Sequence, residues 1–349
     1  MTDRLRIVHA TRSGAFAGVE QFVLRLATRQ ALDGHEVRVI GGAAQRMERT
    51  LAAHGIAFTP AARTITTCRA IREAHDADVV NTHMTAADVA AVAALAGYRR
   101  PPAIVSTRHF VGVRGRGTRI PFDRVIGDRI DAEIAISHAV AASLGRPSTV
   151  VHAGVQDDGN APLPRARTVL MVQRLEAEKR TDLGLRAFAA SHLQDRGWML
   201  EIAGDGAERV ALQSLAAELG VTVRFLGFRD DVPLLMRSAG MLLAPCTAEG
   251  LGLAVLEAMS MGTPVIAADA GGHHEILEGL DPRALYSPED TDAAARNLRE
   301  LADDDGGRAA LGSAGQSRQR AEFSLAAQAA RTDAVYRAAI AGRMRRARG

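Results

Sequence analysis

Lysine is almost absent from this chain: of its 43 basic side chains 42 are arginine, and Lys179 is the one lysine. Cysteine is nearly as scarce. With only Cys68 and Cys246, far apart and outside any paired-ligand spacing, neither a disulfide framework nor a zinc site is suggested, and a reducing compartment fits. Aromatic residues make up 4% of the chain and no nucleic-acid-binding module is present, so nucleic acid is not expected as a partner. No run approaches the roughly 18 uninterrupted apolar residues that a spanning helix needs. The Ala-rich stretch from Ala86 to Gly97 is short, carries Asp88 and reads as a buried helix. The opening Met1-Thr2-Asp3-Arg4 leads at once into a strand-like run without the apolar core and cleavage site of a signal peptide, so a cytoplasmic protein is expected.

What is present suits two ordinary globular cores: 349 residues, 47% hydrophobic and 24% charged. The net charge of +3 is uneven, with +7 on residues 1–150 and −4 on residues 151–349. Compositional drift is one reading. The other is an N-terminal half that meets an anionic partner, such as a membrane surface or an acidic acceptor.

Short β-branched runs alternate with amphipathic helical patterns throughout, which predicts α/β domains with doubly wound parallel sheets. Strands are expected at Leu5 to Ala10, Glu36 to Ile40, Asp78 to Thr82, Ala103 to Thr107, Ala132 to Ile136 and Thr149 to His152. The alternation restarts with Thr168 to Val172, Met199 to Ala203, Val221 to Phe225, Met241 to Ala244 and Pro264 to Ala267. The polar, proline-bearing stretch 156–167 reads as a linker, giving an N-terminal domain over 1–155 and a C-terminal one over 165–325. Residues 326–349 are set apart as a helix with a basic tail, read as a solvated helix end or as a lipid contact.

In such sheets ligands bind beyond the carboxyl ends of the strands. The segment from Ala248 to Met259 follows one such strand and places Glu249 in a turn, Gly250 and Gly252 around Leu251, and Leu253 at the start of a helix. The glycines permit close backbone approach, and the helix start offers free N–H groups to an anion. Glu249 can accept hydrogen bonds from hydroxyls, and Glu257, about two turns along, from a second polyol. The plain alternative is a structural turn with Glu249 in solvent and Glu257 in a salt bridge. A second glycine turn, Gly271-Gly272, follows the next strand. Arg174 and Lys179 lie across a turn after the first strand of the second half and can converge on a diphosphate. In so arginine-rich a chain a lone lysine suggests that a compact ammonium is needed, retention by chance being the alternative. Lys179 is expected at the surface, so its loss is expected to lower turnover far more than stability.

These elements resemble the family 4 glycosyltransferases of the GT-B fold: Ala17-Gly18-Val19-Glu20, Arg174 with Lys179, Ala203-Gly204-Asp205-Gly206, Phe225-Leu226-Gly227-Phe228, Glu249 to Glu257, and Gly271-Gly272. The resemblance implies two Rossmann-like domains and retaining transfer of a sugar from a UDP- or GDP-sugar to a hydroxyl acceptor in a cleft between them. It implies Arg174 and Lys179 on the departing diphosphate, Glu249 on sugar hydroxyls, and His109, after a strand, on the donor sugar. A buried, satisfied histidine is the alternative for His109. Gly18, Gly204, Gly250, Leu251, Gly252, Leu253 and Glu257 would complete the donor site, with Glu257 on the ribose. Gly14, His83, Arg108, Arg114, Arg116 and Arg119 are the acceptor-side candidates.

The basic segment 113–124 reads either as a solvated loop or as a grip on an anionic, lipid-linked acceptor or a membrane face. Gln173, Ala17 and His152-Ala153-Gly154-Val155 depart from the family pattern, each narrowing backbone approach or altering a turn. No metal or other cofactor is expected, because the acidic triplet Asp76-Ala77-Asp78 leads into a strand instead of ending one. The competing readings are a sugar-nucleotide epimerase or hydrolase of the same architecture, and a noncatalytic nucleotide-sugar-binding protein.

Overall fold

The structure, a computed structural model, describes residues 4–112, 122–157 and 163–346. It divides into two units: unit 1 is Met1–Gly154 with Leu325–Gly349, and unit 2 is Val155–Ser324. Unit 1 holds strands β1 (Arg6–Thr11), β2 (Glu36–Ile40), β3 (Ala57–Thr59), β4 (Val79–His83), β5 (Ala103–Arg108), β6 (Ala132–Ala135) and β7 (Thr149–Val150). They form one sheet in the order β3-β2-β1-β4-β5-β6-β7, every pair parallel. Unit 2 holds β8 (Thr168–Val172), β9 (Met199–Ala203), β10 (Val223–Gly227), β11 (Met241–Ala244), β12 (Val265–Ala268) and β13 (Leu285–Tyr286), in the order β10-β9-β8-β11-β12-β13, again all parallel.

The central strands are buried on both faces, which is why they read as near-continuous apolar runs. Ile7, Val8, Ala10, Val79, Val80 and Val105 are each at most 1% exposed, as are Val169, Leu170 and Met171 in unit 2. Of the short edge strands, β3 and β13 escaped the periodicity reading, because three and two residues are too few to show an alternation. In both sheets the strand order reverses once, between β1 and β4 and between β8 and β11, and connections on either side of such a point leave in opposite directions.

Two boundaries differ from the sequence reading. Unit 2 begins at Val155, ahead of the stretch read as linker, and Arg165 within that stretch is anchored in it, where its Nη1 donates to the carbonyls of Met236, Arg237 and Ala239 and to Thr263. The final helix, Leu325–Arg346, is not a separate segment but part of unit 1. Tyr336, Val335 and Ala339 join the core formed by Leu5, Ile7, Val79, Val105 and Ile134. The basic tail is engaged as well: Arg343 and Arg346 both pair with Asp131, whose carboxylate also accepts the Ile104 amide at 2.9 Å. Tyr336 is fully buried, so Tyr336→Ala is expected to destabilise unit 1 by about 3–5 kcal/mol. Urea unfolding measures this, and a change near zero would show that the helix does not share the core.

Candidate active site

In unit 2 the residues after β8 are held by the glycine turn after β9. The amides of Gln173 and Leu175 donate to the carbonyls of Ala203 and Asp205, and Glu208 donates back to Leu175. A Cβ on Gly204 would lie 1.9 Å from the Gln173 carbonyl oxygen, and one on Gly206 2.4 Å from that of Leu175. Gly204 thus acts by letting two loops pack, and its N–H is already given to the Gly227 carbonyl at 2.8 Å, which leaves no donor for a ligand. The turn Ala177–Lys179 then carries the lysine back over the end of the sheet.

There Lys179 Nζ donates to Glu249 Oε2 at 2.7 Å, joining the loops on the two sides of the strand reversal. Their side chains are only 18% and 21% exposed, so Lys179 is not the surface lysine expected from sequence and contributes to the fold as well. Burial alone would lower the ammonium, but the Glu249 carboxylate outweighs it and holds Lys179 above its ordinary pKa. Burial likewise pushes Glu249 up, and the Lys179 charge outweighs it, leaving the carboxylate below the usual range. Both stay charged at neutral pH. Cys246 donates its thiol to the Glu178 carbonyl at 3.3 Å, a second tie between the same loops. Arg174, over half exposed, pairs with Glu178.

The Glu249 turn is itself clamped. Its carbonyl accepts the Gly272 amide at 3.1 Å, and a Cβ on Gly271 or Gly272 would fall 2.2 Å from that oxygen or 2.1 Å from Leu251 Cα. Gly252, at φ +103°, leaves space for the buried ring of His273, whose Nδ1 donates to the Ala268 carbonyl at 3.2 Å. Burial lowers the His273 pKa, so the ring is neutral. Gly252 opens the helix Leu253–Ser260, and among the described residues no side chain caps it, so its first amides point outward with the positive end of the helix dipole. Leu251 is buried beneath this turn, and Glu257 sits half-buried on the helix.

In unit 1 the loop after β1 is tied on both sides. Gly42 donates to the Ser13 carbonyl at 2.7 Å and Ala43 to that of Ala15 at 2.9 Å, while buried Glu20 takes the Ala17 amide at 2.8 Å. Gly18 then begins the helix Gly18–Leu32, and Gly14 abuts Ala62. His83, the last residue of β4, is fully buried and is followed by Met84 at φ +74°, a strained conformation for a side-chain-bearing residue. No sequence signal announced it. Beyond β5, His109 Nε2 lies 3.0 Å from His83 Nδ1, and Phe22 packs edge-on to both rings. Arg108 donates to the Gly112 carbonyl at 3.2 Å. Burial, with Arg108 adding to it, pushes His109 down to about 3; burial also takes His83 well below its ordinary value.

The two histidines weighed separately from sequence are therefore one neutral pair. Arg114, Arg116 and Arg119 lie outside the described residues. Asp76 and Asp78 stand before β4 and are paired with Arg6, Asp76 with Arg38 as well.

The family model described as Glycosyltransferase Family 4 matches residues 16–158, and that described as Glycosyl transferases group 1 matches residues 157–318. The chain belongs to the family 4 glycosyltransferases. Among curated relatives, the lipopolysaccharide core biosynthesis mannosyltransferase LpcC of Rhizobium leguminosarum bv. viciae is 31% identical over 60% of this chain and 64% of its own. The 2-deoxystreptamine glucosyltransferase of Streptomyces kanamyceticus is 33% identical over 38% of this chain and 35% of its own. The chain thus spans less than two thirds of the length of these relatives. The structure of Anabaena Alr3699/HepE in complex with UDP superposes with a TM-score of 0.81 at 21% identity, covering 96% of this chain and 100% of that one. Such a likeness shows the fold, which is that of the GT-B glycosyltransferases, two parallel-sheet Rossmann-like domains. No helix among the described residues is long and apolar enough to cross a membrane.

The Lys179–Glu249 pair carries a pH signature. Glu249 has a lowered pKa, so its contribution is complete above the ordinary glutamate value and is lost as pH falls through the lowered one. Lys179→Met should cost about 1–3 kcal/mol at pH 7, and the deficit should shrink in acid as Glu249 is protonated. Urea midpoints across pH 7 to about 3 measure this; a deficit that stays constant down to acid would remove the pair as its source.

Proposed function

We propose that this chain is a retaining glycosyltransferase that moves a sugar from a nucleoside diphosphate sugar, UDP- or GDP-linked, to a hydroxyl acceptor without a divalent metal. The observation that carries the reading is the Lys179–Glu249 pair at the strand reversal of unit 2, beside the uncapped start of the helix Leu253–Ser260. As the glycosidic bond breaks, negative charge gathers on the leaving diphosphate. Lys179 and Arg174, with the free amides of the helix start, supply positive charge where it develops. An ammonium has three donors, so Lys179 can keep Glu249 and take a phosphate oxygen at once.

Glu249, held ionised, serves as an acceptor for sugar hydroxyls, and Glu257 serves the ribose. Family membership supports transfer, and relatives named for mannosyl and glucosyl transfer support a hexose. The structure of Anabaena Alr3699/HepE in complex with UDP-glucose supports a uridine donor, since that protein has the same fold. The excess charge of +7 on residues 1–150 supports an anionic acceptor, as in cell-envelope, glycolipid or polysaccharide synthesis, and contact with a membrane face where that acceptor is lipid-linked.

A thermal-shift screen with UDP, GDP, ADP, dTDP and CDP, with and without magnesium, tests the donor site. One nucleotide at a hundredfold excess over its Kd should stabilise the protein by about 2.7 kcal/mol, with or without the metal. No shift with any of the five would remove the donor site from unit 2. Glu257→Ala should weaken the active nucleotide about tenfold, the loss of one good hydrogen bond to a polyol. Titration calorimetry reads that loss, and unchanged affinity takes Glu257 out of the ribose site.

A further inference from the structure

His109 is one end of a file of polar side chains that crosses unit 1. Its Nε2 lies 3.0 Å from His83 Nδ1, and His83 Nε2 lies 3.1 Å from His9 Nδ1. His9 Nε2 is 2.7 Å from Gln30 Oε1, and Gln30 Nε2 is 2.6 Å from Asp333 Oδ1 on the final helix. His9, His83 and Gln30 are fully buried. Burial holds His9 down to about 4, and His83 and His109 are lowered as described, so each ring is neutral and offers one N–H and one lone pair.

The direction of every bond in the file then follows from its far end. An ionised carboxylate only accepts, so Gln30 turns its amide nitrogen to Asp333 and its oxygen to His9. His9 must carry its proton on Nε2, which leaves Nδ1 to accept from His83. His83 must carry its proton on Nε2, which leaves Nδ1 to accept from His109. His109 is therefore protonated on Nε2 and bare at Nδ1. The other oxygen of Asp333 is taken by His35 Nε2 at 2.9 Å, and His35 Nδ1 accepts the Leu5 amide at 3.1 Å. A backbone N–H thus pins the tautomer of His35 and holds the carboxylate between two donors.

We propose that Asp333, acting through Gln30, His9 and His83, is a positioning residue that fixes the tautomer of His109 and presents its Nδ1 as an acceptor for a substrate hydroxyl. The role in catalysis rests on the transferase reading above; the tautomer assignment does not. A neutral histidine can carry its proton on either nitrogen, and a ring with Nδ1 protonated would offer a hydroxyl a donor where an acceptor is required. Because each ring accepts from the next, no one of them reverses alone.

Long-range proton–nitrogen spectra of the full chain labelled with 15N-histidine read the tautomers directly. His9, His83 and His109 should all show Nε2 protonated; a proton on Nδ1 of any of them overturns the proposal without need of a variant. Asp333→Asn should turn its carbonyl to His35 and its amide to Gln30, so that Gln30 flips and the file reverses, placing the His109 proton on Nδ1. Adding Gln30→Glu restores an acceptor for both neighbours and should return His109 to the Nε2 form. A His109 that keeps Nε2 protonated in Asp333→Asn overturns the relay. Initial rates with UDP-glucose and GDP-mannose should fall about tenfold in Asp333→Asn and recover in the double variant, as expected for one misplaced hydrogen bond. A reversed tautomer with unchanged rates overturns the positioning role and leaves the transferase reading standing, whereas failure of the nucleotide screen sinks that reading and leaves the spectra to decide the relay.

Discussion

The ammonium of Lys179 and the carboxylate of Glu249 meet at 2.7 Å across the point where the strand order of unit 2 reverses. At such a point the connections after the two strands leave in opposite directions and open a gap that a contact between their loops can span. Here the span is an ion pair about four-fifths removed from solvent, and the backbone around it is arranged to keep it. Gly204 and Gly206 let the Arg174 turn rest on its neighbour, and Gly271 and Gly272 do the same for the Glu249 turn. In a chain whose other basic side chains are all arginine, this one position carries a compact charge with three donors instead of a planar fork.

Unit 1 has the same strand reversal and solves it with uncharged groups. His9 on β1 and His83 on β4 meet across it at 3.1 Å, and His109 extends the contact to β5. Burial keeps all three rings neutral, so the hydrogen bonds alone must satisfy them. One crevice is therefore built from opposite charges and the other from a file of imidazoles whose polarity is set at its far end. On the proposed reading, the charged pair of unit 2 meets the anionic leaving group and the imidazole file of unit 1 a hydroxyl.

The far end lies on the helix Leu325–Arg346, which completes unit 1 after the chain has passed through unit 2. Tyr336 fills the core of unit 1 and accepts the Asn81 amide at 2.5 Å, while Asp333 anchors Gln30 and His35. The last helix thus connects the packing of the domain with the polar file that ends at His109.

Much of this was legible in the sequence because it is local. Alternating strands and helices, the glycine turns after β9, β11 and β12, and the lone lysine all lie within short windows where period and turn chemistry act. Those features carried the fold class and the identity of Arg174, Lys179, Glu249 and Glu257 as candidates. The edge strands β3 and β13 and the positive φ of Met84 were not legible, since their conformations are imposed by neighbours and not by their own residues. His9 passed unnoticed in an apolar strand, although a histidine there has to find partners. That Lys179 pairs with a residue 70 positions away, and that Gln30 meets Asp333 across 303, only the folded sheet could decide. Side chains so far apart in sequence come within hydrogen-bonding distance because strand order and helix return place them together, and no local pattern encodes that order.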